Sequence, residues 1–257
     1  VERGEELVLG EHAGVGERVQ ECGLPGVGVP HKRDTEHAGA APGRALRFAC
    51  LSALLEVALQ LGDAFAGQPA VGLQLRFACA EAGVNVLCEK PIAVRLEEAD
   101  RMIAATDAAG VAFGVIFQRR FWPSAQRIRH AIDDGLLGKL TFGSASSLLW
   151  RPQSYFAADP WRGKWATEGG GVMMNQAVHT TDLLQWFMGP AAEVYGRIAT
   201  LRHGAYIDVE DTVAATVVFE SGALGSIQAL TTIDPEFGYR VAIHGDNGAT
   251  ASIHEIP

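Results

Sequence analysis

Residues 84–117 constrain the fold more than any other stretch of the chain. VNVLC at 84–88 is a short apolar run suited to a buried strand, and EKP ends it because Pro91 has no amide hydrogen to continue a ladder. RLEEADRMIAATDAAG then places Leu96, Ala99, Met102, Ile103 and Thr106 at helical spacing, with acids in the first turn and Gly110 at a left-handed cap. VAFGVIF at 111–117 is a second buried-strand run. Strand, helix and strand with short connections close as a right-handed parallel crossover, so the stretch reads as the end of a doubly wound α/β sheet.

The pattern then changes. PSAQRIRHAIDDG puts Ile128, Ala131 and Ile132 on one helical face before Gly135, and LTFGSASSLLW at 140–150 resumes strand character. The loop RPQSYFAADPWRGKWATEGGG combines aromatics, two prolines and a glycine triplet, a composition that suits the rim of a binding pocket. Rings packed onto the core are the alternative. VMMNQAVHTTDLLQWFMG predicts one helix, led in by Gly170 and Gly171 and closed by Gly189 and Pro190. EDTVAATVVFESGALGSIQALTT alternates apolar residues around an ESGA turn, and YRVAIHGDNGATASIHE does so around DNG, a strong hairpin signal. An α/β part joined to an α+β part places a ligand site near their junction.

Composition narrows the partners. A hydrophobic share of 48% in 257 residues supplies apolar mass for one large or two modest domains, and a net charge of -9 without any basic run excludes a general polyanion-binding field. Nucleic acid and acidic membranes are therefore not expected partners. No apolar stretch approaches the roughly 18 residues of a membrane span, and no signal-peptide pattern follows Val1, so a cytoplasmic location is expected. Cys22, Cys50, Cys79 and Cys88 match neither a zinc knuckle nor a CxxC pair, and free thiols are the expectation.

The first 75 residues follow no such plan. ELVLGEHAGVGERV contains Gly14-Val15-Gly16, but Val19 stands where a dinucleotide fingerprint needs its third glycine. LPGVGVPHKRD supplies Gly26 and Gly28 with Pro30 where a helix should begin, while Asp34 lies about twenty residues after Gly14, the distance of a ribose-binding acid. RALRFACLSALLEVALQL is helix-like, with no buried strand between it and LRFACAEAG.

Chemistry concentrates in two places. Asn175 and His179 are four apart and His179 and Asp182 three apart, so on one helix all three share nearly one face. An imidazole held by one partner and facing a pocket suits general acid/base work near neutral pH, the alternative being a core histidine satisfied by Asp182. Lys90 stands at the carboxyl end of a strand of an α/β sheet, the edge where ligands bind. A solvated loop lysine paired with Glu89 is its alternative. No carboxylate and histidine spacing suggests a metal.

VNVLCEKPIAV, QRRFWP, WRGKWATEGGGVMMNQAVHTTDLLQWFMG and EDTVAATVVFESGALGSI, in that order, resemble the glucose-fructose oxidoreductase, inositol dehydrogenase and MocA family over residues 76–257. The resemblance implies a Rossmann-like domain over 1–118, incomplete as read here, followed by an open, mainly antiparallel sheet domain over 119–257 with helices on one face. It further implies NAD or NADP as cofactor and hydride transfer to or from a sugar or cyclitol carbon. Lys90 would polarise the reacting oxygen, His179 would be the acid/base, Asn175 would stand where several members have a relay aspartate, and Asp182 would position substrate or the imidazole. Glu89, Lys90 and Pro91 would line the cofactor side, Trp161 and Arg162 would reach the nicotinamide region, and a homo-oligomer would form through the sheet.

The chain lacks an initiator Met and stops at Pro257 directly after the strand-like SIHEI, so a C-terminally truncated fragment with an exposed sheet edge is expected. The functional alternative is an inactive family fragment without a working dinucleotide site. A shifted reading frame over residues 1 to about 75 would explain the abrupt return of pattern at FACAEAG. Sequencing the encoding DNA checks this: the expected outcome is an alternative frame encoding a strand followed by GxGxxG, and its absence from all frames refutes the idea.

Overall fold

The computed structural model describes residues 5–9 and 69–256. Gly14, Gly16, Gly26, Gly28 and Asp34 lie outside the described residues, as do Cys22 and Cys50. Cys79 and Cys88 are free.

The α/β unit consists of α1 (Pro69–Glu81), β2 (Val86–Glu89), α2 (Leu96–Ala109) and β3 (Phe113–Ile116), preceded in the chain by β1 (Glu5–Leu9). β2 and β3 pair in parallel, with Val86 opposite Phe113 and Glu89 opposite Ile116. The predicted crossover is therefore present. Ala80, Val86 and Met102 form its small core, with Phe77 and Phe113 packed against them. The helix α2 buries Ala99, Met102 and Thr106 and closes at Gly110, whose amide bonds Thr106 and Asp107 carbonyls. Its apolar stripe is narrower than the spacing suggested, because Leu96 and Ile103 are exposed. β2 likewise buries Val86 and Cys88 but turns Leu87 outward.

A 3-10 turn, Gln118–Phe121, leads into α3 (Pro123–Asp133), with Pro123 in the first turn where its missing amide hydrogen costs nothing. The strands β4 (Leu140–Leu148), β5 (Ala191–Ala199), β6 (Thr212–Phe219), β7 (Leu224–Leu230), β8 (Gly238–Gly245) and β9 (Thr250–Glu255) build one sheet. Its order is β1-β9-β8-β4-β7-β6-β5. Both predicted hairpins form, β6 with β7 and β8 with β9. They are not neighbours, because β4 lies between them, antiparallel to β8 and parallel to β7. The sheet is thus mixed, with a single parallel pair in a mainly antiparallel set.

Between β4 and β5 come α4 (Gln153–Ala157), α5 (Trp165–Glu168), α6 (Val172–Asn175) and α7 (Val178–Met188). α7 and α3 cover one sheet face: Ile128, Leu183, Leu184 and Phe187 meet Val217, Phe219, Val241, Ile243 and Ile253 in the main core. Area removed from water here supplies the stabilising term, roughly 1.5–3 kcal/mol for each large apolar side chain.

Two expectations need correction, and one strand gave no signal in the sequence. The helix expected across 172–189 is two helices, with Gln176 and Ala177 between them. β5 carried no alternating pattern, since almost all of it is exposed at a sheet edge and no buried face imposed one. The edge expected to be open beyond β9 is covered by β1, Glu5 opposite Glu255 and Leu9 opposite Ala251, and β1 pairs there instead of beside β2 or β3.

The glycine triplet joins the two parts. Gly169 sits at φ +78° and a Cβ there would lie 2.9 Å from the Val94 carbonyl oxygen, just beyond EKP. A Cβ on Gly171 would lie 1.8 Å from the carbonyl oxygen of Glu210, whose carboxylate also accepts the Gly171 and Met173 amides. Glu210 thereby satisfies donors at the start of α6. Since backbone cannot swing aside as a side chain can, Gly171→Ala is expected to destabilise the chain by at least about 2 kcal/mol in urea unfolding.

Candidate active site

The site lies where β2 ends against the α6–α7 junction. Lys90 follows β2 directly, its peptide to Pro91 is cis, and its Nζ donates to the Asn175 carbonyl oxygen at 2.8 Å. That carbonyl is at the last residue of α6, where a helix leaves acceptors without intrahelical donors. Burial pushes the Lys90 ammonium below its ordinary pKa, with Arg119 and Arg162 adding to this and Glu89 and Glu168 opposing it. A three-donor ammonium with one protein acceptor keeps capacity for a ligand oxygen.

His179 lies in the first turn of α7 and is buried, with 8% of its surface exposed. Its Nδ1 is buried without a hydrogen-bond partner among the described residues. Burial, then the charges of Lys90 and of Arg119, lower its pKa to about 3. The imidazole is accordingly neutral at pH 7.

The structure brings Lys90, Asn175 and His179 together and takes Asp182 elsewhere. Asp182 accepts from Arg120 Nε at 2.8 Å and from its terminal nitrogen at 2.6 Å, a bidentate pair that ties α7 to the 3-10 turn. The guanidinium also lies over the rings of Phe117 and Trp186. The Asn175 side chain points into the aromatic loop, donating to Glu168 Oε1 at 2.7 Å. Its amide is also 3.4 Å from the Tyr155 hydroxyl, which accepts from Gln176 at 2.9 Å.

Glu89 is exposed and Pro91 is half-buried beside Lys90. Arg162 lies 4.4 Å over each of the Trp161 and Tyr155 rings and pairs with Asp159 at 2.8 Å. Its charge reaches Lys90, which places the aromatic loop at the site.

Sequence reasoning missed Arg119, Glu168, Tyr155 and Gln176. Arg119 is buried between the rings of Trp122 and Tyr239, at 4.8 and 4.0 Å, and pairs with Glu255 at 2.7 Å. Glu168 is buried, accepts the Gly163 amide as well as Asn175, and has its carboxyl pKa raised by burial against those bonds. No periodicity marks such residues. The available signal was charge inside apolar stretches, QRRFW and KWATEGGG.

The state of His179 carries a pH consequence. An unfolded histidine titrates near 6.5, whereas the folded one resists protonation to about 3. Between those values the unfolded chain binds a proton that the native site refuses, so stability falls as pH drops through that window and is unaffected above it. Replacing His179 with Gln should flatten this dependence, other groups being common to both chains. Urea midpoints at pH 7, 5.5 and 4.5 are the check; parallel declines in the two chains would be the contrary result.

Family models match in two places: one described as "Oxidoreductase family, NAD-binding Rossmann fold" over residues 66–117, and the GFO/IDH/MocA C-terminal domain over 125–251. The 1,5-anhydro-D-fructose reductase of Ensifer adhaerens is 33% identical over 67% of this chain and 50% of its own length. The myo-inositol 2-dehydrogenase of Thermotoga maritima is 30% identical over 68% of this chain and 51% of its own. Among solved structures, the WlbA dehydrogenase of Bordetella pertussis, in complex with NADH and UDP-GlcNAcA, superimposes with a TM-score of 0.68 at 36% identity, over 73% of this chain and 57% of that one. The chain spans about half the length of these curated relatives. With the crossover, the EKP turn and the strands β4 to β8 falling inside the matched residues, the chain belongs to the GFO/IDH/MocA family of NAD-binding oxidoreductases.

Proposed function

We infer that the protein transfers a hydride between a nicotinamide dinucleotide and a secondary alcohol or ketone carbon of a sugar or cyclitol, with Lys90 and His179 at the reacting centre. One observation carries this reading: a buried imidazole nitrogen without a partner among the described residues, within the electrostatic reach of a lysine that retains donor capacity. The relatives that act on anhydrofructose and inositol support the substrate class.

The residues present fit the nicotinamide end of such a cofactor. Lys90 and Pro91 lie beyond the carboxyl end of a parallel strand, the edge at which α/β sheets take dinucleotides, and Glu89 closes that strand. Trp161 and Arg162 would approach from the aromatic loop. When bound, the dinucleotide supplies or accepts the hydride. Lys90 stabilises negative charge on the substrate oxygen, and its bond to Asn175 holds the ammonium in place for that role. His179 takes the hydroxyl proton at a ring nitrogen during oxidation and returns it during reduction. Its neutrality at pH 7 is the state a base needs. Asp182 serves indirectly, by fixing α7 through Arg120.

The outer sheet face and the β5 edge, with Phe142, Leu224, Val194 and Tyr195 exposed, are proposed as the surface for a second copy of the chain.

Binding of NADH and NADPH to the purified chain, followed by energy transfer from its five tryptophans, tests the reading. Saturable binding weakened about tenfold or more by Lys90→Ala is expected. A folded chain that binds neither dinucleotide would refute it, and light scattering of the same sample as a monomer would remove the proposed second copy.

A further inference from the structure

We propose that Glu168 is a positioning residue of this site: its buried carboxylate grips the Asn175 side chain and so sets the carbonyl to which Lys90 is bonded. The inference rests on Lys90 acting as the cation of the reacting centre.

Glu168 ends α5, a single turn of the aromatic loop, and is 6% exposed. A carboxylate so placed is stable only if its oxygens are satisfied. One accepts the Gly163 amide and the other accepts Asn175 Nδ2 at 2.7 Å. Asn175 is therefore held from two sides, by Glu168 at its amide and by Lys90 at its carbonyl. It cannot turn without giving up a partly buried bond. The chain of contacts runs from Gly163, next to Arg162, through Glu168 and Asn175 to Lys90, linking the aromatic loop to the end of β2.

Charge points the same way. The groups that act on Lys90 are Glu89 from its own strand, Arg119 from the 3-10 turn, and Arg162 and Glu168 from the loop, while Lys90 in turn acts on His179 of α7. The charges that act most strongly on Glu168 are Arg162 and Glu210. Glu89 is exposed and screened by water, so Glu168 is the buried anion of the set acting on Lys90. A glutamate there both orients the lysine's acceptor and supports the lysine's charge.

The chain has four lysines, at 32, 90, 139 and 164, so carbon-13 lysine NMR resolves Lys90 after assignment by Lys90→Met. In Glu168→Gln the Lys90 titration midpoint should fall by about half a pH unit or more, with the other three unmoved. Glu168→Asp, which keeps the charge, should bring it back toward wild type. An unchanged Lys90 midpoint in a natively folded Gln variant overturns the proposal. Should that variant not fold, the reciprocal measurement decides: coupling is mutual, so Lys90→Met must raise the Glu168 midpoint by a similar amount, and no rise overturns the proposal. Dinucleotide binding is read separately. Coupling without NADH binding would remove the functional reading and leave the positioning role standing.

Discussion

The hydrogen bond from Lys90 to the Asn175 carbonyl is the contact on which the site depends, because its two ends belong to different parts of the fold. Lys90 arrives on a parallel strand whose core is three buried residues and their neighbours. Asn175 arrives on a short helix packed against β6 and β7 of the large mixed sheet. Neither part alone offers a lysine with a fixed direction. The approach is possible because Gly169 and Gly171 present no side chain to Val94 and Glu210, so backbone can lie against backbone. The conformational freedom of those glycines in the unfolded chain is the cost of that closeness.

Around this contact the structure disposes of charge in pairs. Arg119 is matched by Glu255, Arg120 by Asp182 and Arg162 by Asp159. Each guanidinium also rests on aromatic rings, which accept a flat, weakly hydrated cation in partly buried surroundings. His179 is different. Its Nδ1 has no partner among the described residues, and its burial near two cations keeps it uncharged. That unmatched buried nitrogen is the observation on which the proposed ligand position rests.

The legible parts of the sequence were those governed by local rules. The EKP turn follows from proline's missing donor, the α2 cap from Gly110, and the two hairpins from ESGA and DNG between alternating runs. Lys90 was legible as a lysine at a strand end and His179 as a histidine in a patterned helix, and in the structure the charge of the first acts on the second. The role given to Asp182 read less well. Spacing put it near the imidazole, but Arg120, 62 positions away in sequence, holds it instead. The break at Gln176 and Ala177, the exposed strand β5, and the place of β4 between the hairpins likewise answer to distant partners.

By itself the sequence determined the local elements and their order, and it offered Lys90 and His179 as candidates for oxygen and proton chemistry, because caps, turns and periodicity act over a few residues. Tertiary structure decided which elements neighbour one another and which side chains meet. It put β4 between the hairpins, gave Asp182 to Arg120, and gathered Glu168 and Arg119 around Lys90. Those choices rest on burial and on satisfying buried charge, and both are summed over groups far apart in the chain, so no short window of residues contains them.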